Sequence, residues 1–229
     1  MIVPMPQQQA KQLAAAAAIE LLPEHGVIGL GSGATADLFI EALAELVRAG
    51  RRFVGVPTSE ASRRKATACG IELLSDDGPW AVDVCVDGAD EVSPELDLIK
   101  GGGGCHTREK IVNNAAALNI IVAEETKLVQ RLGERWAVPV EIVPFGYGGT
   151  VRLLERWGEV RIRMRDGARW LTDSGNLICD VRVEPIADPT GLDRELVGLP
   201  GVVETGLFCG RADVVVLASE DRVRQLRRT

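Results

Sequence analysis

The sequence predicts an α/β fold in which a Rossmann-like parallel-sheet domain carries a smaller, inserted ferredoxin-like α+β domain. Three observations predict it. Short buried runs alternate with helix-length segments between Gln8 and Ala123, the order of a parallel sheet with covering helices. Polar and glycine-rich turns follow those runs at their carboxyl ends, where such sheets bind ligands. Beyond Gly133 the order becomes strand, helix, two strands, helix, strand, which is that of a ferredoxin-like layer.

Residues 8–22 have helical composition, and Pro23-Glu24-His25-Gly26 ends them in a turn. A buried strand at 27–30 leads through Gly31-Ser32-Gly33-Ala34-Thr35 into a helix running to Arg48. The pattern repeats as strand 53–56, loop Pro57-Thr58-Ser59, helix 60–69 and strand 71–74. Strand 81–86 ends in Asp87-Gly88-Ala89-Asp90-Glu91, and 96–100 leads into four glycines. A helix at 106–118 and a strand at 119–123 follow.

The smaller domain is read from strand 138–143, helix 149–157, strand 160–165, a hairpin around Thr172-Asp173-Ser174-Gly175-Asn176, a helix at 192–199 and a strand at 202–208. The chain then returns with buried strand 212–217 and a basic closing helix. This sets the large domain at 1–133 and 210–229 and the small one at 134–209. With 229 residues, 46% hydrophobic and 26% charged, the chain is long and apolar enough to bury a core in each.

The 33 acidic and 26 basic residues give a net charge of -7, which opposes binding to nucleic acid. The basic clusters Arg63-Arg64-Lys65 and 222–228 read as solvated helix faces. Five cysteines without a C-x-x-C pair read as reduced, mostly buried thiols of a cytoplasmic protein. Only two histidines, His25 and His106, lie far apart, so no metal site is expected. Residues 1–9 do not read as a signal peptide. The alanine run at 14–18 falls far short of the ~20 apolar residues of a membrane span, so no membrane partner is expected.

Gly29-Leu30-Gly31-Ser32-Gly33-Ala34 fits the G-x-G-x-x-A form of a dinucleotide fingerprint. A dinucleotide site also needs an acid at the end of the second strand, and Val56-Pro57-Thr58-Ser59 has none. The loop does offer backbone N–H groups and the hydroxyls of Ser32 and Thr35 to a phosphate or sugar oxygen. Asp87, Asp90 and Glu91 crowd three carboxylates into one turn, compatible with helix capping, with magnesium, or with neutralisation by Lys100. Four consecutive glycines cost chain entropy and let N–H groups approach a ligand, an oxyanion site beside the lysine. Glu109, judged by position alone, compensates a helix dipole. Together these loops hold the parts of an aldose–ketose isomerisation: a carboxylate base, a cation with N–H donors, ring-opening acids and a phosphate loop.

The sequence resembles the type A ribose-5-phosphate isomerase family. The segments that carry the resemblance include GLGSGAT from Gly29, PTSEAS from Pro57, VDGADE from Val86, IKGGG from Ile99, TREK from Thr107, PVEIVP from Pro139, TDSGN from Thr172 and PGVVETGLF from Pro200. They run in family order over nearly the whole chain.

The resemblance implies reversible conversion of D-ribose 5-phosphate to D-ribulose 5-phosphate with no metal or organic cofactor. It implies Glu109 as the base between C2 and C1, Asp87 as assistant in ring opening, and Asp90 and Lys100 as managers of the oxygens and the enediolate charge. Substrate-lining residues would be Ser32, Gly33, Ala34 and Thr35, the Asp87-Gly88-Ala89-Asp90 turn, and Lys100, Gly101, Gly102 and Gly103. Lys127 and Lys11 match phosphate-facing lysines.

Ser32 and Ala34 depart from the family's usual G-T-G-S-T, losing one hydroxyl, and Cys105-His106 replaces a more apolar pair, read as a packing variant. The partner implied is a small sugar phosphate, and the assembly a homodimer or dimer of dimers. A non-catalytic sugar-phosphate sensor is the alternative; a nicotinamide oxidoreductase and a coenzyme A transferase stand further off.

Overall fold

The computed structural model describes residues 5–228. The first four residues of the stretch read for a signal peptide therefore lie outside the described residues. In chain order the elements are α1 (Met5–Ile19), β1 (His25–Leu30), α2 (Ala34–Arg48), β2 (Arg52–Pro57), α3 (Glu60–Ala68), β3 (Glu72–Leu73) and β4 (Val82–Asp87). Next come β5 (Glu91–Val92), β6 (Leu98–Ile99), α4 (His106–Ala115), β7 (Ala116–Glu124) and a 3-10 turn at Glu125–Lys127. The chain continues with β8 (Val138–Ile142), α5 (Tyr147–Leu154), β9 (Glu159–Ile162), β10 (Met164–Arg165), β11 (Ala168–Arg169) and β12 (Leu177–Arg182). It closes with α6 (Pro189–Val197), β13 (Val202–Thr205), β14 (Leu207–Phe208), β15 (Val214–Ala218) and β16 (Val223–Arg227).

Among the described residues the chain divides into two units, the first within Met1–Ala89, Arg108–Lys127 and Arg211–Thr229, the second within Asp90–Thr107 and Leu128–Gly210. The second takes in β5 and β6 as well as the 134–209 segment read from the sequence, because β6 pairs with β14 and β5 with β6.

The first unit is built on a seven-stranded sheet in the order β16-β15-β7-β4-β1-β2-β3. All neighbours are parallel except β15 and β16. The sheet is buried on both faces because alternate strand residues point to opposite sides. Val84 and Val86 join a core with Ala14 and Ala18 of α1 and Phe39, Ile40 and Leu43 of α2, while Cys85 packs with Val112 of α4. The buried positions of α2, Ala36, Phe39, Ile40, Leu43 and Ala44, recur at the three- and four-residue spacing of one helix face. The Ser59 hydroxyl accepts the Ser62 N–H at 3.0 Å at the start of α3, a cap worth about 1 kcal/mol.

The second unit is the ferredoxin-like layer. Its four-stranded sheet runs β13-β8-β12-β9, antiparallel throughout, with α5 and α6 as the two crossovers. Val138, Val140 and Ile142 of β8 share a core with Leu154 of α5 and Leu196 of α6. A three-stranded sheet, β14-β6-β5, accompanies it.

Several element expectations need correction. The basic closing helix is strand β16, paired with β15 from Val214 opposite Arg227 to Ala218 opposite Val223. The turn between them, closed by Ser219 N–H on the Arg222 carbonyl at 2.9 Å, folds the chain straight back. The open edge of β15 then supplies a backbone ladder, and Arg222 and Arg224 reach the Glu125 carboxylate at 3.2 and 3.0 Å. Helix α4 stops three residues earlier than residue 118, because Ala116 and Leu118 pair with β4. The run at 202–208 breaks at Gly206, which donates to Pro139 O at 2.7 Å and accepts from Lys100 N–H at 2.8 Å. Of the thiols only Cys85 and Cys179 are buried; Cys69, Cys105 and Cys209 are half-buried. Burial pushes the Cys179 thiol up to about 12.

In the carboxylate turn, Glu91 has both carboxylate oxygens bonded to the backbone of a distant loop. Fully buried, it accepts N–H bonds from Gly133 at 2.6 Å, Arg135 at 2.6 Å and Trp136 at 2.8 Å. Glu91→Ala takes the carboxylate from the buried Gly133 N–H, a loss of about 1–3 kcal/mol for a buried donor, so the variant is expected to lose roughly that much stability in urea unfolding. A midpoint equal to that of the wild type would refute this anchor role.

Candidate active site

From β1 the chain moves outward to β2 and β3, and from β4 it moves the other way to β7 and β15. The carboxyl ends of β1 and β4 therefore flank the point where strand order reverses, the place where an open α/β sheet forms a ligand crevice. Those ends carry Gly31-Ser32-Gly33 and Asp87-Gly88-Ala89.

The two turns are bonded to each other. Gly31 N–H donates to Val86 O at 2.9 Å, and Asp87 Oδ1 accepts the N–H groups of Ser32 at 3.0 Å and Gly88 at 2.8 Å. Any side chain on Gly31 would collide with the Asp87 carboxylate and its Cα, so a glycine is required for the approach. Asp87 is buried, with 3% of its surface exposed. The Ser32 hydroxyl is engaged sideways: it donates to Ser59 Oγ at 2.8 Å and lies 2.8 Å from Thr58 Oγ1, which donates to Leu30 O at 3.0 Å. The expectation that this hydroxyl faces substrate therefore needs correction, since Thr58 and Ser59, which no local motif marks, hold it. Gly33 caps α2 without a side-chain bond, so the N–H groups of Ala34 and Thr35 begin the helix uncapped by a side chain. Gly33 and Ala34 are exposed, Thr35 half-buried.

Glu109 is the fourth residue of α4, which runs directly into β7. A helix that feeds a parallel strand lies antiparallel to it, so the first turns of α4 stand at the carboxyl edge of the sheet. Val112, one turn on, packs against Cys85 and the sheet, and the absence of a side chain on Gly29 leaves room for it. Asn113 Nδ2 donates to Arg211 O at 3.1 Å, and Arg108 pairs with Glu60 at 2.8 Å. Held at these points, Glu109 is buried with 4% exposure, where an isolated reading had it on the surface.

In the second unit Asp90 and the glycine turn form one structure. Asp90 N–H donates to Ile99 O at 2.8 Å, and Asp90 Oδ2 accepts Gly102 N–H at 2.7 Å. Lys100 is buried with 3% exposure, and its ammonium lies 5.4 Å from the Phe208 ring centre. Gly101 has φ +100, and a Cβ there would stand 2.7 Å from His106 Nδ1, so His106 is the floor of the turn. Thr107 Oγ1 donates to Glu141 Oε2 at 2.6 Å, and Glu141 Oε1 accepts from Thr172 and Asn176, each at 2.9 Å. Glu141 thus ties the start of α4 to the turn at 172–176, a link no local motif signals.

Lys11 pairs with Glu124 at 3.6 Å, at the carboxyl end of β7, and Lys127 ends the 3-10 turn that follows that strand. Both half-buried lysines therefore sit at the same sheet edge as the turns of β1 and β4. Among the described residues, no group of three or more histidines, cysteines and carboxylates is arranged to hold a metal ion.

The family model for ribose 5-phosphate isomerase A (phosphoriboisomerase A) matches residues 54–222. This chain belongs to that family. A ribose-5-phosphate isomerase A from Bradyrhizobium diazoefficiens is 44% identical, with 98% of each chain covered. The structure of ribose 5-phosphate isomerase A from Methanocaldococcus jannaschii superposes with a TM-score of 0.91 at 40% identity, covering 96% of this chain and 99% of that one. A D-ribose-5-phosphate isomerase solved in complex with phospho-erythronic acid gives 0.93 at 37% identity, covering 98% and 100%. The expected α/β fold with its inserted layer is thus the fold of the isomerase A family.

Proposed function

We propose that this protein interconverts D-ribose 5-phosphate and D-ribulose 5-phosphate by proton transfer through an enediolate, without metal or organic cofactor. The observation that carries the reading is the likeness to ribose-5-phosphate isomerases A along almost the entire chain. Asp87 assists opening of the sugar ring. Glu109 takes the proton from C2 and returns it to C1, while Lys100 and the backbone of the glycine turn from Gly101 to Gly103 offset the charge gathering on the enediolate oxygens. Asp90 manages the proton of a sugar hydroxyl. Ser32, Gly33, Ala34, Thr35, Gly88 and Ala89 line the sugar, and Lys127 and Lys11 face the phosphate.

Among the described residues no helix is long and apolar enough to cross a membrane. We place the enzyme in the cytoplasm as a homodimer or dimer of dimers. The test is ketopentose formation from ribose 5-phosphate in excess EDTA. Turnover at rates of about 1–10³ per second is expected. A folded protein that forms no ribulose 5-phosphate would end this reading.

A further inference from the structure

The glycine turn is gripped from behind by a residue 62 positions away in sequence. Arg163 Nη1 donates to Gly101 O at 2.8 Å and to Gly102 O at 3.2 Å. The guanidinium is itself fixed: Nε donates to Asp180 Oδ2 at 2.9 Å, Nη2 bonds Asp180 Oδ1, and the group stacks 5.2 Å from the Trp170 ring centre. Trp170 also closes over Gly104. The Arg163 backbone, between β9 and β10, donates to Ile178 O at 2.9 Å and accepts from Trp170 N–H at 3.0 Å. This is a pre-organised bidentate anchor, not a flexible surface arginine.

In a trans peptide the C=O and the following N–H point in opposite directions. The peptide joining Gly101 to Gly102 is held at both ends, its oxygen by Arg163 and its N–H by Asp90 Oδ2 at 2.7 Å. The peptide joining Gly102 to Gly103 has its oxygen on the same guanidinium, which turns the Gly103 N–H toward the side on which Asp90 lies. Two successive peptide dipoles are therefore aligned with their positive ends away from Arg163, and the arginine charge polarises both.

We propose that Arg163 is a positioning residue for the isomerisation: by fixing the Gly101 and Gly102 carbonyls it sets the orientation and polarity of the Gly103 N–H, the donor that meets an enediolate oxygen, without touching substrate. This rests on the proposed function. Donors of that kind act on charge that appears in the transition state, so their misalignment lowers kcat and leaves KM nearly unchanged.

Three variants test the assignment by steady-state kinetics and thermal unfolding. Arg163→Gln is expected to lose kcat by roughly 10- to 100-fold with KM within about twofold, as for a small misplacement of catalytic groups. Arg163→Lys keeps a cationic donor for the Gly101 carbonyl and recovers part of that loss. Asp180→Asn removes the ion pair but leaves Arg163 on the glycine carbonyls, so it retains most of the activity.

Equal kcat in the Asp180→Asn and Arg163→Gln enzymes would overturn the proposal, because the ion pair's contribution to folding would then explain both. A kcat within about threefold of wild type for Arg163→Gln would also overturn it. Should Arg163→Gln unfold, the comparison of Arg163→Lys with Asp180→Asn decides: a lysine enzyme no slower than wild type rejects the role. A wild type that does not turn over ribose 5-phosphate removes the function and the assignment together, whereas an active wild type with an unaffected variant removes the assignment alone.

Discussion

Replacing Glu109 by glutamine is expected to lower kcat by about 10²- to 10⁴-fold, the range for loss of a general base, which corresponds to roughly 3–5 kcal/mol of barrier. The amide has the size of the carboxylate and fits the same buried position on α4, where Glu109 has 4% exposure. Neighbouring anchors, Val112 in its contact with Cys85 and Arg108 on Glu60, are untouched. Stability should therefore hold, and KM should change little, because the proton is in transfer only in the transition state. Solvent deuterium exchange at C1 of the product should vanish in parallel with turnover. Near-normal kcat in a folded Glu109→Gln enzyme would move the base to another carboxylate, with Asp87 the next to examine.

What the sequence made legible was local. A loop such as Lys100 to Gly104, or the carboxylates from Asp87 to Glu91, announces itself because unusual residues stand side by side, and a strand-then-helix context places it at a sheet edge. The ferredoxin-like order was readable for the same reason, since turns at 172–176 and at Gly198 and Gly201 punctuate it.

What was hidden depended on partners distant in the chain. Residues 222–228 have no strand signal of their own, and β16 forms because the edge of β15 is there to receive it. Glu91 looked like its neighbours Asp87 and Asp90 until the N–H groups of Gly133, Arg135 and Trp136 claimed it. Arg163 sits among the other arginines of β9 to β11, and only its bonds to the Gly101 and Gly102 carbonyls set it apart. Periodicity and composition carry no information on such pairings. An arginine flanked by strand residues and alternating with Arg161 and Arg165 is the nearest thing to a signal, and it is a weak one.

Lys100→Met is the second large effect. The lysine stem is buried with 3% exposure, its ammonium 5.4 Å from the Phe208 ring, and its backbone N–H is bonded to Gly206 O at 2.8 Å, so the side chain emerges from a fixed point. Methionine fills the same volume with an unbranched chain and takes no charge out of water. Removing a buried cation relieves its desolvation but takes away the compensation of the groups it faces, which costs more, so the thermal midpoint is expected to fall. Activity falls as well, and by a separate cause. Loss of one charge-stabilising donor at an oxyanion costs about 10²- to 10³-fold in kcat, and the loss should appear equally in kcat/KM, since the enediolate charge is absent from bound substrate.

A folded enzyme whose kcat falls at a temperature well below its midpoint has lost a group that acts on the transition state, whatever the change in stability. The opposite pattern, a lowered midpoint with kcat preserved, would show that the ammonium serves packing over Phe208 and that the enediolate is stabilised by the Gly103 N–H without it. Arg163→Gln and Lys100→Met would then part company: the arginine variant, which disturbs that N–H, would lose turnover while the lysine variant kept it.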